Sequence, residues 1–173
     1  MIRDVAASHF IFIYHPGVFE GKPYTVYKGE PLTNGEMLEY WGKWIVLGDR
    51  PWLDKLARKL DLFVEHEKIP CVKYDREPAK NLAVDECVMM VYCDKRQRDE
   101  VWDILHKFGV KLKAWISEKE SMEMWLPGGR LLEKSLLARN LSEVEAGEER
   151  EDARKKIGRI FDYPDAVFEP WRQ

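Results

Sequence analysis

Hydrophobic and polar positions along this chain change period several times, and each change marks a candidate element. Phe10 to Tyr14 and Tyr24 to Lys28 read as short strands, separated by a loop from His15 to Pro23. Leu32 to Tyr40 predicts a short helix that Gly42 ends, and Lys43 to Leu47 predicts a strand. Gly48-Asp49-Arg50-Pro51 then supplies a helix start, with Asp49 as N-cap and proline tolerated in the first turn. Trp52, Leu53, Leu56, Leu60, Phe63 and Val64 follow at helical spacing, and the helix stops before Pro70. Ile69 to Tyr74 returns as a strand, and Asp75 to Val84 is a polar loop.

Glu86 to Cys93 is apolar almost throughout, which suits a central strand covered on both faces. Asp94 is the candidate N-cap of a helix whose stripe is Val101, Trp102, Leu105 and Phe108, with Gly109 at its C-terminal turn. Two period-two segments follow, Lys111–Ile116 and Ser121–Leu126, which predict a hairpin turning over Glu118-Lys119-Glu120. Pro127-Gly128-Gly129 breaks the chain before a helix through Leu131, Leu132, Leu136 and Leu137. Glu143 to Lys156 is charged, with Glu151/Lys155 and Asp152/Lys156 in the favourable i,i+4 order of a solvated helix. An aromatic tail from Ile160 to Trp171 is expected to pack on the body.

Strand–helix–strand therefore occurs twice, at Lys43–Tyr74 and at Glu86–Ser117. The expected class is α+β: one sheet with helices on one face, in a single domain spanning residues 1–173. A ferredoxin-like double βαβ arrangement is the alternative. Several of these residues resemble the Bles family, an uncharacterised group sharing the fold of the cap-binding translation initiation factor 4E. The resemblance is carried by Gly42-Lys43-Trp44-Ile45-Val46, the helix with Trp52, Val72-Lys73, Val88-Met89-Met90-Val91-Tyr92 and the helix with Val101. It covers Trp41 to Trp125 and departs at Ala114-Trp115-Ile116-Ser117, where the family tends to carry a Tyr-Lys-Thr-Asp-like segment. It implies a curved, mostly antiparallel sheet with helices on the convex side, and it does not imply cap binding.

Composition changes the picture in three places. A net charge of −3 argues against non-specific nucleic-acid affinity, which needs a basic footprint. Three cysteines form no disulfide framework, and the His and Cys spacings form no metal or cofactor motif. No stretch has the length and apolarity of a membrane span, so a cytoplasmic location is expected.

Candidate chemistry concentrates in the predicted hairpin. Alternation would place Trp115, Trp125, Glu123, Lys111 and Lys113 on one open face, with Lys73 adding charge from a neighbouring strand. Indoles can stack a base, a carboxylate can accept from a base edge and ammonium groups meet phosphate. The same cross-strand pairs stabilise a sheet by roughly 0.2–1 kcal/mol each with no ligand at all. No catalytic constellation accompanies them. The expectation is a non-catalytic binding module for a nucleotide-like or phosphorylated ligand. The alternative is an interaction or homodimer module docking through exposed tryptophans. Ranked last is an enzyme for a phosphorylated substrate, with Lys73 or Lys113 as a charge clamp.

Overall fold

The computed structural model describes residues 1–79 and 85–169, so the second half of the Asp75–Val84 loop and Trp171 lie outside the described residues. In chain order the elements are β1 (Ile2–Asp4), β2 (Phe10–Tyr14), α1 (Pro16–Phe19), β3 (Val26–Tyr27), β4 (Glu30–Pro31), α2 (Asn34–Tyr40) and β5 (Trp41–Gly48). They continue with α3 (Arg50–Glu65), β6 (Cys71–Asp75), β7 (Cys87–Asp94), a 3₁₀ turn (Lys95–Gln97), α4 (Arg98–Lys107) and β8 (Trp115–Ser117). Three helices close the chain: α5 (Glu118–Met124), α6 (Arg130–Ala138) and α7 (Glu143–Asp162).

Six strands pair antiparallel in the order β1-β2-β6-β7-β5-β8. The two strand–helix–strand units are β5-α3-β6 and β7-α4-β8. Their strands interleave: β7 lies between β5 and β6, and β5 lies between β7 and β8. The class is mixed α+β, as the sequence implies. The expected hairpin from Lys111 to Leu126 does not form, because the chain turns into α5 directly after β8.

Helix α3 begins where its sequence says, with the Asp49 side chain accepting from the Trp52 amide at 2.9 Å. Leu53, Leu56, Ala57, Leu60 and Val64 bury one stripe against Ile11, Ile13, Val46, Val72, Met89 and Val91 of the sheet. Val101 and Leu105 of α4 complete that dry face. Asp94 caps the 3₁₀ turn rather than α4 itself, accepting from the Arg96 amide at 2.8 Å and clamping the Arg96 guanidinium.

Helices were expected on one face only, and the structure places them on both. The side chains of β6 and β7 that point away from α3 include Cys71 and Tyr92, which need cover. Met37 of α2, Met122 of α5 and Ile157 and Ile160 of α7 provide it, together with Phe168. Helix α7 accordingly runs past the charged stretch to Asp162, because Ile157 and Ile160 give it a buried side. The tail packs as expected: the Phe168 amide donates to the Leu32 carbonyl at 2.9 Å, and Thr33 bridges Val167.

Gly42 sits inside β5 instead of ending a helix. A Cβ there would collide with Cζ2 of Trp115, so the indole needs a bare backbone beneath it. Trp115 is wedged edge-on against Trp44 at 5.3 Å, and Trp44 meets Trp102 at 5.1 Å. Gly42→Ala should therefore cost about 1–3 kcal/mol by overpacking, read as a lower urea midpoint with an unchanged slope. A midpoint equal to wild type would show that the indole stack does not press on this strand.

Candidate functional site

The expected binding face is dispersed. Trp115 turns toward the α4 side of the sheet and is half-buried in the Trp44–Trp102 cluster. Lys113 stands over the same indoles, 5.5 Å from the Trp102 ring centre and 6.0 Å from that of Trp44. Lys111 lines a shallow groove with Trp52 beyond the end of β8. Glu123 is exposed on α5, and Trp125 is the C-cap residue of that helix, packed against the core of the other face. Of the six residues singled out, only Lys73 belongs to the large cleft.

That cleft, of about 1540 Å³, opens over the second face of the sheet. Its floor is Phe12 and Tyr14 of β2, Cys71 and Lys73 of β6, and Tyr92 of β7. Alternation puts these side chains together, because they occupy the positions between Ile11, Ile13, Val72, Tyr74 and Val91, which fill the opposite core. The walls come from the loop Val18–Thr25, from Glu118 and Met122 of α5, from α7 and from the tail.

Aromatic rings and ammonium groups dominate the floor. Phe12 stacks on Tyr14 at 5.3 Å, and Tyr14 on Tyr24 at 5.2 Å. The Tyr92 ring lies between two ammonium groups, Lys43 at 5.4 Å and Lys73 at 5.8 Å from its centre, and Lys73 also sits 4.5 Å from the Phe10 ring. Lys43 is only 8% exposed and is matched: its Nζ contacts Glu118 at 2.7 Å and donates to Ser121 Oγ at 3.0 Å. Lys73 has no carboxylate within ion-pair reach among the described residues.

Burial and the charge of neighbouring Lys43 push the Lys73 ammonium below the ordinary lysine range. Burial likewise raises the phenols of Tyr14, Tyr24 and Tyr92 and the thiol of Cys71, so these stay neutral donors. Around the mouth the lining adds Arg3, Lys22, Lys155, Lys156 and Arg159, against Glu169. A floor cation short of counter-charge, neutral hydroxyls and a basic rim can hold an anion beside an aromatic surface. The sequence signal was present in the alternation of Phe12/Tyr14 and Cys71/Lys73. The contribution of Glu118 was not visible, because its helix was read as a turn.

A lowered lysine value has a fixed consequence for stability. The folded state sheds the Lys73 proton before the unfolded chain does, so its burial penalty is fully present at neutral pH. The penalty fades as pH rises toward the ordinary value of about 10.4. Ligand-free Lys73→Met is therefore expected to unfold at higher urea than wild type at pH 7, with the gap narrowing by pH 9.5. A gap that stays constant over that range would show that Lys73 is not held charged at a cost.

Comparison with family models, with curated proteins and with solved structures gives no match to this chain.

Proposed function

We propose that the cleft over the second sheet face is a binding site for a nucleotide-like or phosphorylated small ligand, and that the protein acts as a binding module for it. The observation that carries this reading is Lys73: a partly buried ammonium on the cleft floor, beside the ammonium of Lys43, with no carboxylate in ion-pair contact among the described residues and Glu118 and Asp75 acting on it only from further off. Burying such a cation without a direct ion pair is unfavourable, and a phosphate oxygen would supply that pair with a charge-assisted hydrogen bond. The Phe12–Tyr14–Tyr24 stack offers an apolar surface for a base or other flat group.

In fold, the interleaved order β6-β7-β5-β8 with α3 and α4 supports the ferredoxin-like alternative more than the factor-4E-like class. Neither likeness implies the ligand.

Titration with adenosine 5′-monophosphate by calorimetry, at low salt and pH 7, tests the site. Binding is expected, weakened by about 10- to 100-fold in Lys73→Met, as for loss of a hydrogen bond between charged groups. Absence of heat and of tyrosine chemical-shift change at millimolar nucleotide would remove the proposal.

A second reading, pairing with another copy, has its own support. Strand β8 pairs with β5 from Gly42 to Trp44, and the Ile45 amide donates to the Ala114 carbonyl at 2.8 Å, so the outer edge of β5 is open beyond it near Leu47. Leu47 and Leu112 are 44% and 60% exposed there, around the groove lined by Trp52. If copies join through this edge, light scattering should give a dimer mass that Leu47→Lys converts to a monomer. A monomer mass for wild type at high micromolar concentration excludes it.

A further inference from the structure

The cationic groups of the cleft lie in two tiers. Lys73 belongs to the sheet floor, whereas Lys22, Lys155 and Arg159 are exposed residues of the walls. Lys155 and Arg159 are four residues apart on α7, so they share one face of the helix, and like charges at that spacing oppose each other. The neighbouring Lys156 is neutralised by Asp152 at 2.8 Å. Lys155, Arg159 and Lys22 have no carboxylate within ion-pair reach among the described residues. The cleft's 1540 Å³ also exceeds the roughly 300–1,000 Å³ that suits one compact small ligand. One phosphate on Lys73 leaves the upper tier unmatched.

A buried hydroxyl adds an independent sign of a missing partner. Thr25, 1% exposed, lines the cleft wall, and its Oγ1 has no hydrogen-bond partner among the described residues. Its backbone carbonyl is already used, accepting from the Leu32 amide at 3.1 Å. Such groups in folded proteins are few, and each asks for a partner.

Resting on the phosphate reading of the same cleft, we infer that its ligand is an organic bisphosphate with two separated phosphate groups, one on Lys73 at the floor and one at the mouth between Lys22, Lys155 and Arg159. Thr25, in the cleft wall, turns its unpartnered hydroxyl to the bound molecule. The aromatic floor takes the organic part that joins the two phosphates. The mouth contacts lie in water and are screened by salt, while the floor contact is screened much less.

Calorimetric titration of the full chain with adenosine 5′-monophosphate, adenosine 5′-diphosphate and adenosine 3′,5′-bisphosphate distinguishes these features. The 3′,5′-bisphosphate is expected to bind about tenfold tighter than either other nucleotide, the advantage one extra surface charge contact gives. Raising KCl to about 0.5 M, where the screening length falls to a few ångströms, should shrink that advantage. The double substitution Lys155→Met with Arg159→Met should erase it, so that monophosphate and 3′,5′-bisphosphate bind that variant equally. Lys73→Met should weaken all three nucleotides together. Equal affinity for monophosphate and 3′,5′-bisphosphate overturns the two-tier inference while leaving a phosphate site. So does a diphosphate that binds as tightly as the bisphosphate. Binding of none of the three overturns both. The comparison among nucleotides uses wild-type protein, so it does not depend on any variant folding.

Discussion

The strand register of the central sheet governs everything built on it. Trp44, Val46, Val72, Tyr74, Met89 and Val91 point into the core beneath α3 and α4, and Lys43, Lys73 and Tyr92 point the other way. A slip of one residue in β5 or β6 would drive an ammonium group into the dry core under α3. Lys43 and Lys73 thus stabilise one register by making its neighbour prohibitive. The same alternation that secures the core creates a face that cannot be sealed with apolar side chains.

The two faces solve different problems. Under α3 the packing is aliphatic and closed, with Ile13, Leu53, Leu60, Val64, Val72 and Val91 wholly out of solvent. That rigid layer fixes the strands from which the cleft residues project, as a binding site requires of its support. Over the other face, α2, α5, α7 and the tail bury Cys71 and Tyr92 and leave Phe12, Tyr14 and Lys73 only half-covered. Glu118 makes a direct ion pair with Lys43 and reaches Lys73 only at longer range. The proposed anion site rests on this asymmetry.

Most elements near the core were legible in local sequence, because their signals and their tertiary roles agree. Asp49-Arg50-Pro51 starts α3 by satisfying a free amide whatever surrounds it, and the stripe from Leu53 to Val64 is long enough to be unambiguous. The charged stretch after Glu143 was recognisable as a helix, and the Asp152–Lys156 pair forms at the expected spacing. The segment Ser117 to Trp125 was misread for a specific reason. Its alternation over six residues suits a strand, but Ser117-Glu118-Lys119-Glu120 is also a capping box. Ser117 Oγ accepts from the Glu120 amide at 3.2 Å, and Glu120 Oε2 accepts from the Ser117 amide at 3.0 Å. Two reciprocal bonds outweigh a short period-two pattern that has no strand left to pair with. Placing Trp115 and Trp125 on one surface failed with that turn.

The chain by itself decided what is local: the caps, the helix stripes, the doubled strand–helix–strand order and the presence of Lys73 on a half-polar strand. Only the folded structure decided which strands become neighbours. It placed β7 between β5 and β6, which brings Lys43 and Lys73 to either side of Tyr92. Only the folded structure set Glu118 against Lys43 and brought Lys155 and Arg159 of α7 over a floor whose Tyr14 and Lys73 lie more than 80 residues earlier in the chain. Caps and periodicities depend on residues a few positions apart, so a sequence exposes them directly. The cleft depends on pairings between distant segments, which are selected by burial of the whole sheet and leave no local mark.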